Sequence, residues 1–172
     1  MPTLVPLAEI AEPDVETLLD QAFGTDRHAR TAYRIRNGTA WLRGTSFAAL
    51  DDDDWLIGTI QCWPVALTDP GGRAHPLIMV GPVAVLPEQQ GEGYGKALML
   101  AALRAIDAAD APLPQVMIGD PEYYGRFFGF DAAPAAGWRC PGPYDQRRLL
   151  ARAVNPAVLP GKGMLGPWVA TP

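Results

Sequence analysis

Very little in this chain could hold a metal ion or a disulfide framework. Its 172 residues include 2 cysteines, Cys62 and Cys140, and 2 histidines, and none of them stands at metal-ligand spacing. Two distant cysteines make no disulfide scaffold, so both thiols are expected to stay reduced, in a cytoplasmic setting. No apolar stretch approaches the ~20 residues a helix needs to cross a bilayer. The N-terminus lacks a basic segment followed by a long apolar core, so a signal peptide is not expected. A basic excess is missing as well: 14 Lys and Arg face 19 Asp and Glu, a formal net charge of -5, which speaks against nucleic acid as a partner. Part of that acidity is one run, Asp51 to Asp54, which reads as a solvated loop. There is no internal repeat and no long low-complexity linker.

What is present suits one domain over residues 1–172. Apolar residues make up 48%, with 5 Trp, 5 Tyr and 5 Phe, enough for a sizeable core. The 18 Gly and 18 Pro are scattered as punctuation between short elements. A first helix follows Pro13, with Asp14 as its expected N-cap and Val15, Leu18, Leu19, Ala22 and Phe23 as its buried stripe, ending at Gly24. A second helical stretch covers about His28 to Arg36. Strands are expected at Ser46 to Leu50 and Trp55 to Leu67, around the four aspartates, with Pro64 marking an edge or a bulge. Thr68 to Gly72 is a turn. Leu77 to Leu86 is a strand, interrupted at Gly81-Pro82 by a bulge or a splay. After a glycine turn, Met99, Leu103 and Ile106 face one side of a helix that runs to about Asp107. Gln115 to Ile118, Trp138 to Cys140 and Leu149 to Val154 read as strands, and Glu122 to Phe128 as a short helix. The order implies an α/β domain with a mixed sheet of six or seven strands and about four helices.

The stretch with chemical content is Val83 to Ala97, VAVLPEQQGEGYGKA, which reads strand, glycine turn, helix. Such a turn aims backbone N–H groups out of a helix N-terminus, where anions bind. A kinase-type P-loop requires G-x-x-x-x-G-K-[ST], but Gly95-Lys96 is followed by Ala97 and the first glycine position holds Gln90. A dinucleotide fingerprint requires G-x-G-x-x-G, a spacing that Gly91, Gly93 and Gly95 do not have. The pattern Q-x-x-G-x-G, with Gln90, Gly93 and Gly95, does fit.

These residues resemble the GNAT superfamily of acyl-CoA N-acyltransferases, where Q/R-x-x-G-x-G/A between a strand and a helix holds the pyrophosphate of coenzyme A. The similarity extends through AVLPEQQGEGYGKAL and through EYYGRFFGF, which resembles the family's late Y-x-x-x-G-F element. DRHARTAYRIRNG, GTIQCWPV and GWRCPGPYDQ resemble a bacterial branch of poorly assigned N-acetyltransferases. The resemblance implies a mostly antiparallel mixed sheet, splayed at its central strands, and acetyl-CoA as co-substrate without a metal. It implies that the backbone of Val83, Ala84 and Val85 pairs with the pantetheine arm and polarises the thioester carbonyl. The amides of Gln90, Gly91, Glu92, Gly93, Tyr94, Gly95 and Lys96 are then expected to wrap the pyrophosphate. A tyrosine at the start of the late helix is expected to protonate the leaving thiolate. A Tyr O–H suits that task, because its reference pKa near ~10 is close to that of a thiol. The acceptor is an amine, small or on a protein, of unassigned identity, and a homodimer is compatible with the family.

One departure stands out. Four residues, not three, separate Tyr124 from Gly129-Phe130, so the catalytic tyrosine is Tyr124 by preference, with Tyr123 as the alternative. The extra residue also supports an alternative function, a non-catalytic acyl-CoA-binding or regulatory module. Segments 24–44, which contain Arg27, His28 and Arg30, and 137–148 are the expected walls of an acceptor pocket. His75 reads as structural, and Cys62 and Cys140 read as buried small hydrophobes. Glu88, Asp120 and Glu122 lie near the motif segments, but none is legible as a general base.

Overall fold

The structure, a computed structural model, describes residues 2–168. In chain order its elements are β1 (Thr3–Pro6), α1 (Glu12–Phe23), α2 (Thr31–Ile35), β2 (Phe47–Leu50), β3 (Leu56–Thr68), β4 (Ala74–Val85), α3 (Tyr94–Asp107), β5 (Gln115–Ile118), α4 (Pro121–Phe128), β6 (Trp138–Arg139), β7 (Leu149–Arg152) and β8 (Gly163–Pro167). The strands form one mixed, mostly antiparallel sheet in the order β1-β2-β3-β4-β5-β7, with β8 also paired to β3 and β6 paired to β8. It has eight strands among the described residues, not six or seven. The two that the sequence did not mark are β1 and β8, short segments defined by their partners.

The chain divides into two compact units, and β3 and β4 contribute to both. The first comprises residues 1–28, 41–62 and 80–110. Here α1 buries Val15, Leu18 and Leu19 with Leu7, Ala48 and Ala84, as its apolar periodicity requires. The helix starts earlier than expected: Ala11 is the N-cap, without a side-chain bond, and Asp14 lies inside the first turn. Pro13 is the cause. Its fixed φ and missing N–H are tolerated in a first turn, where the amide has no helical partner anyway. Gly24 closes the helix at φ +92. Within this unit β2 pairs with β1 and with β3, antiparallel in both cases.

The second unit comprises residues 29–40, 63–79 and 111–172. Its core joins Ile35, Val65, Leu67, Leu77, Val116, Trp138, Leu149 and Leu165. The helical stretch expected from His28 to Arg36 is shorter, because a 3-10 turn over Arg27–Ala29 precedes α2. Pro64 stands where β3 changes partners, after the β2 ladder that ends at Ile60 and before the β8 ladder that begins at Val65. A residue without an N–H is tolerated at such a junction. The hairpin turn after β3 closes through Asp69 N–H to the Arg73 carbonyl at 2.9 Å. The parallel β4–β5 ladder is brief: Ile78 pairs with Gln115 and Met79 with Val116. It ends before Gly81, which stands at φ +121 within β4; the strand runs on to Val85 without the interruption expected at Gly81-Pro82.

Candidate functional site

The glycine turn grows directly out of β4. Val83 and Val85 are half-buried, and Ala84 is buried in the α1 cluster. The Leu86 N–H donates to the Ile57 carbonyl at 2.9 Å, and a 3-10 turn over Pro87–Gln89 follows. The Gln90 side chain then donates from Nε2 to the Val85 carbonyl at 3.3 Å, tying the turn back to the strand. Gly91 and Gly93 hold φ of +85 and +89, and nothing lies within 4 Å of where a Cβ would stand on either. Gly93 is the N-cap of α3 and offers no side chain to its amides. The first helical bond runs from Ala97 N–H to the Gly93 carbonyl at 3.1 Å. The amides ahead of it therefore face out of the positive end of a 14-residue helix. Glu92 and Lys96 are exposed, and Tyr94 is half-buried. All the residues expected to contact the pyrophosphate thus lie on one continuous turn and helix start.

A residue that the sequence reading passed over supports this strand end. Gly58 in β3 lies so close to β4 that a Cβ would stand 3.0 Å from the Ala84 carbonyl oxygen and 3.1 Å from a methyl group of Leu98. An isolated glycine inside a strand pattern is the available signal for such a close approach.

The tyrosines belong to the second unit. Asp120 caps α4, its carboxylate accepting from Glu122 N–H at 3.1 Å, with Pro121 at the first helical position. Asp120 is thus a helix cap, a role legible in the string Gly-Asp-Pro before an apolar run. The Tyr123 and Tyr124 rings meet edge to face, 4.9 Å apart at 88°. Tyr123 also lies against Phe127 and Phe128, and Tyr124 against Phe128. Burial raises the hydroxyl pKa of both. For Tyr124 the neighbouring Tyr123 adds to the rise and the Arg148 guanidinium opposes it. Beyond the tyrosines, α4 ends in a wide turn. The Gly129 N–H is shared between the Gly125 and Tyr124 carbonyls, and the Phe130 N–H reaches back six residues to the Tyr124 carbonyl at 3.2 Å. Gly129, at φ +75, closes this wide turn.

The two expected acceptor segments meet within the second unit. Thr31 donates to the Pro143 carbonyl, Arg34 donates to the Pro141 carbonyl at 3.3 Å, and a Cβ on Gly142 would collide with Thr31. The Arg36 guanidinium lies 4.0 Å from the ring centres of both Tyr33 and Trp63. In the first unit Arg27 is buried and paired with Glu16 and Asp20, which gives it a structural role. His75 binds Asp69 at 2.9 Å across the hairpin turn. Burial pushes the thiols of Cys62 and Cys140 up to about 12. Among the described residues, no group of three or more His, Cys, Asp or Glu is placed to hold a metal ion, and no helix is long and apolar enough to cross a membrane.

The chain is similar to known proteins in sequence and in fold. A family model described as an acetyltransferase (GNAT) domain matches residues 5–133. The GNAT family N-acetyltransferase YhbS of Escherichia coli, solved in complex with CoA, is 26% identical, with 97% of this chain and 89% of that one aligned at a TM-score of 0.71. A GNAT family acetyltransferase of Brucella melitensis, solved with acetyl-CoA, is 23% identical over 95% of this chain and 93% of its own, at a TM-score of 0.62, a likeness of fold. No curated protein matches the chain significantly.

Proposed function

Because this chain belongs to the GNAT acetyltransferase family, we propose that it is an N-acetyltransferase, one domain over residues 1–172, that transfers the acetyl group of acetyl-CoA directly to a primary amine. The observation that carries the proposal is the start of α3, a helix N-terminus capped by left-handed Gly93, with a second left-handed glycine, Gly91, two residues before it and open space above both. A pyrophosphate fits such a cradle, since anions bind where unpaired amides and the helix dipole coincide. That YhbS was solved with CoA supports the same reading.

Each residue's part follows from its position. The amides of Gln90 to Lys96 hold the phosphates, with Lys96 as a nearby positive charge. The backbone of Val83, Ala84 and Val85 aligns the pantetheine arm and meets the negative charge that develops on the thioester oxygen. The amine nitrogen bonds to the acetyl carbon as the carbon–sulfur bond breaks. Tyr124 gives its phenolic proton to the departing sulfur, leaving a free thiol, and regains a proton equivalent to the one the amine loses. A tyrosine hydroxyl is protonated at neutral pH, the form a general acid needs, and burial raises its pKa further. Tyr123, packed among Phe127 and Phe128, is the lesser candidate.

Calorimetry with acetyl-CoA and a thiol-release assay over a panel of amines test the proposal. We expect binding, and turnover on at least one amine. Absence of heat at millimolar acetyl-CoA ends the ligand reading. Binding without turnover on any amine favours the non-catalytic module instead. The feature behind that alternative is the extra residue between Tyr124 and Gly129-Phe130, where α4 ends in a wide turn. A cytoplasmic setting belongs to the same proposal, in keeping with two buried free thiols.

A further inference from the structure

Gly119 stands between β5 and α4 and is buried. Its φ lies outside the left-handed region, so the backbone does not call for glycine. The neighbouring ring does. A Cβ built on Gly119 would stand 2.6 and 2.8 Å from Cε2 and Cδ2 of Tyr124, and 3.2 Å from the terminal methyl of Met117. Carbon atoms in good contact sit about 3.5–4.0 Å apart, so the Tyr124 ring lies directly on the glycine backbone.

We propose that Gly119 is a positioning residue for the reaction: it provides the flat seat that sets where the Tyr124 hydroxyl points. This rests on the reading of Tyr124 as the general acid. Both sides of the seat are held. The Gly119 N–H donates to the Arg148 carbonyl at 2.9 Å, pinning the glycine beside β7. The Asp120 cap fixes the first turn of α4 one residue later. The ring is therefore gripped between a tethered backbone and the first turn of its own helix. Tyr123 has no such seat; its neighbours are the rings of Tyr124, Phe127 and Phe128. The extra residue of the late motif lies downstream of the seat and leaves it intact.

Gly119→Ala pushes the ring away by on the order of 1 Å, the difference between the 2.6 Å approach and ordinary contact. A displacement of that size costs about 10²-fold in a positioned reaction. The expected result is a kcat lowered by about that factor, with acetyl-CoA affinity by calorimetry changed less than about twofold. In a Tyr124→Phe background, Gly119→Ala should lower kcat no further, because the hydroxyl it positions is already gone. If Tyr124→Phe slows the enzyme and Gly119→Ala does not, the seat is refuted while the acid assignment stands. Equal slowing by Gly119→Ala in both backgrounds also refutes it, since the effect then bypasses the hydroxyl. Wild-type kcat in Tyr124→Phe removes the acid assignment and the seat's purpose together. Melting temperatures test the contact without activity. Gly119→Ala should destabilise the wild-type protein but not Tyr124→Leu, which has no ring to displace, and should fold in that background even if it fails alone. An equal loss, or failure to fold, in both backgrounds overturns the contact.

Discussion

Tyr124 is the proposed proton donor, and a single atom separates it from a residue that cannot donate. We expect Tyr124→Phe to lower kcat by about 10² to 10⁴, the usual range for general acid catalysis, while calorimetry shows acetyl-CoA affinity nearly unchanged, because the hydroxyl acts only as the thiolate forms. Tyr123→Phe should do less. Burial holds the Tyr124 proton, so any alkaline fall in kcat owed to it should lie above the ordinary tyrosine range and vanish in Tyr124→Phe. The cysteines offer a second test. With their thiols pushed up to about 12, Cys62 and Cys140 carry almost no thiolate at neutral pH and should resist alkylation in the folded protein, yet react once denaturant is added. The linkage has a definite sign. A thiol whose folded pKa lies above its unfolded value of 9.0 contributes stability below about pH 9, lost as the pH climbs toward 12. Alkaline unfolding should therefore move to higher pH in Cys62→Ala, if cavity cost is subtracted at pH 7.

The helices and strands differ in how openly the sequence declares them. Helices α1 and α3 carry the period of a packed helix: the structure buries Val15, Leu18 and Leu19 in one, with Ala22 and Phe23 half-buried against the same cluster, and Met99, Leu103 and Ile106 in the other. The glycine turn is equally legible, because left-handed backbone and uncapped amides are written directly in Gly91 and Gly93. Strand β8, Gly-Met-Leu-Gly-Pro, is the opposite case. Its residues favour turns, and it is a strand because β3 and β6 present hydrogen-bonding edges to it. Likewise the ring of Tyr124 lies over Gly119, a contact that local spacing does not encode. Two element-scale predictions follow the capping geometry. Gly93→Leu should weaken acetyl-CoA binding, because its side chain would stand over the amides, and should lower stability by about 1–2 kcal/mol, the cost of a side chain in the left-handed region. Asp120→Ala should lower stability by about 1 kcal/mol, the usual cost of losing an N-cap, read as a lower melting temperature.

For the whole molecule, ligand binding and folding are one measurement. If acetyl-CoA binds the folded chain alone, then at one hundred times its Kd it should add about 2.7 kcal/mol to the unfolding free energy. A melt followed against acetyl-CoA concentration should show this shift in wild type and, at equal ligand, a smaller one in Gly93→Leu. The fold class was the most legible property of the chain, since strand, turn and helix order already specified a mixed sheet, while the count of eight strands depended on pairings invisible along the chain. The end of α4 carries one consequence for comparing relatives. Its beginning is keyed to the sheet through Asp120 and the Gly119 tether, whereas its end opens into a wide turn at Gly129. An alignment that counts back four places from Gly129 arrives at Gly125, which has no side chain to offer; one that counts forward four places from Asp120 arrives at Tyr124. If Tyr124 is the acid, a count from the Asp120 cap finds it in this chain and a count back from the Gly-Phe pair does not.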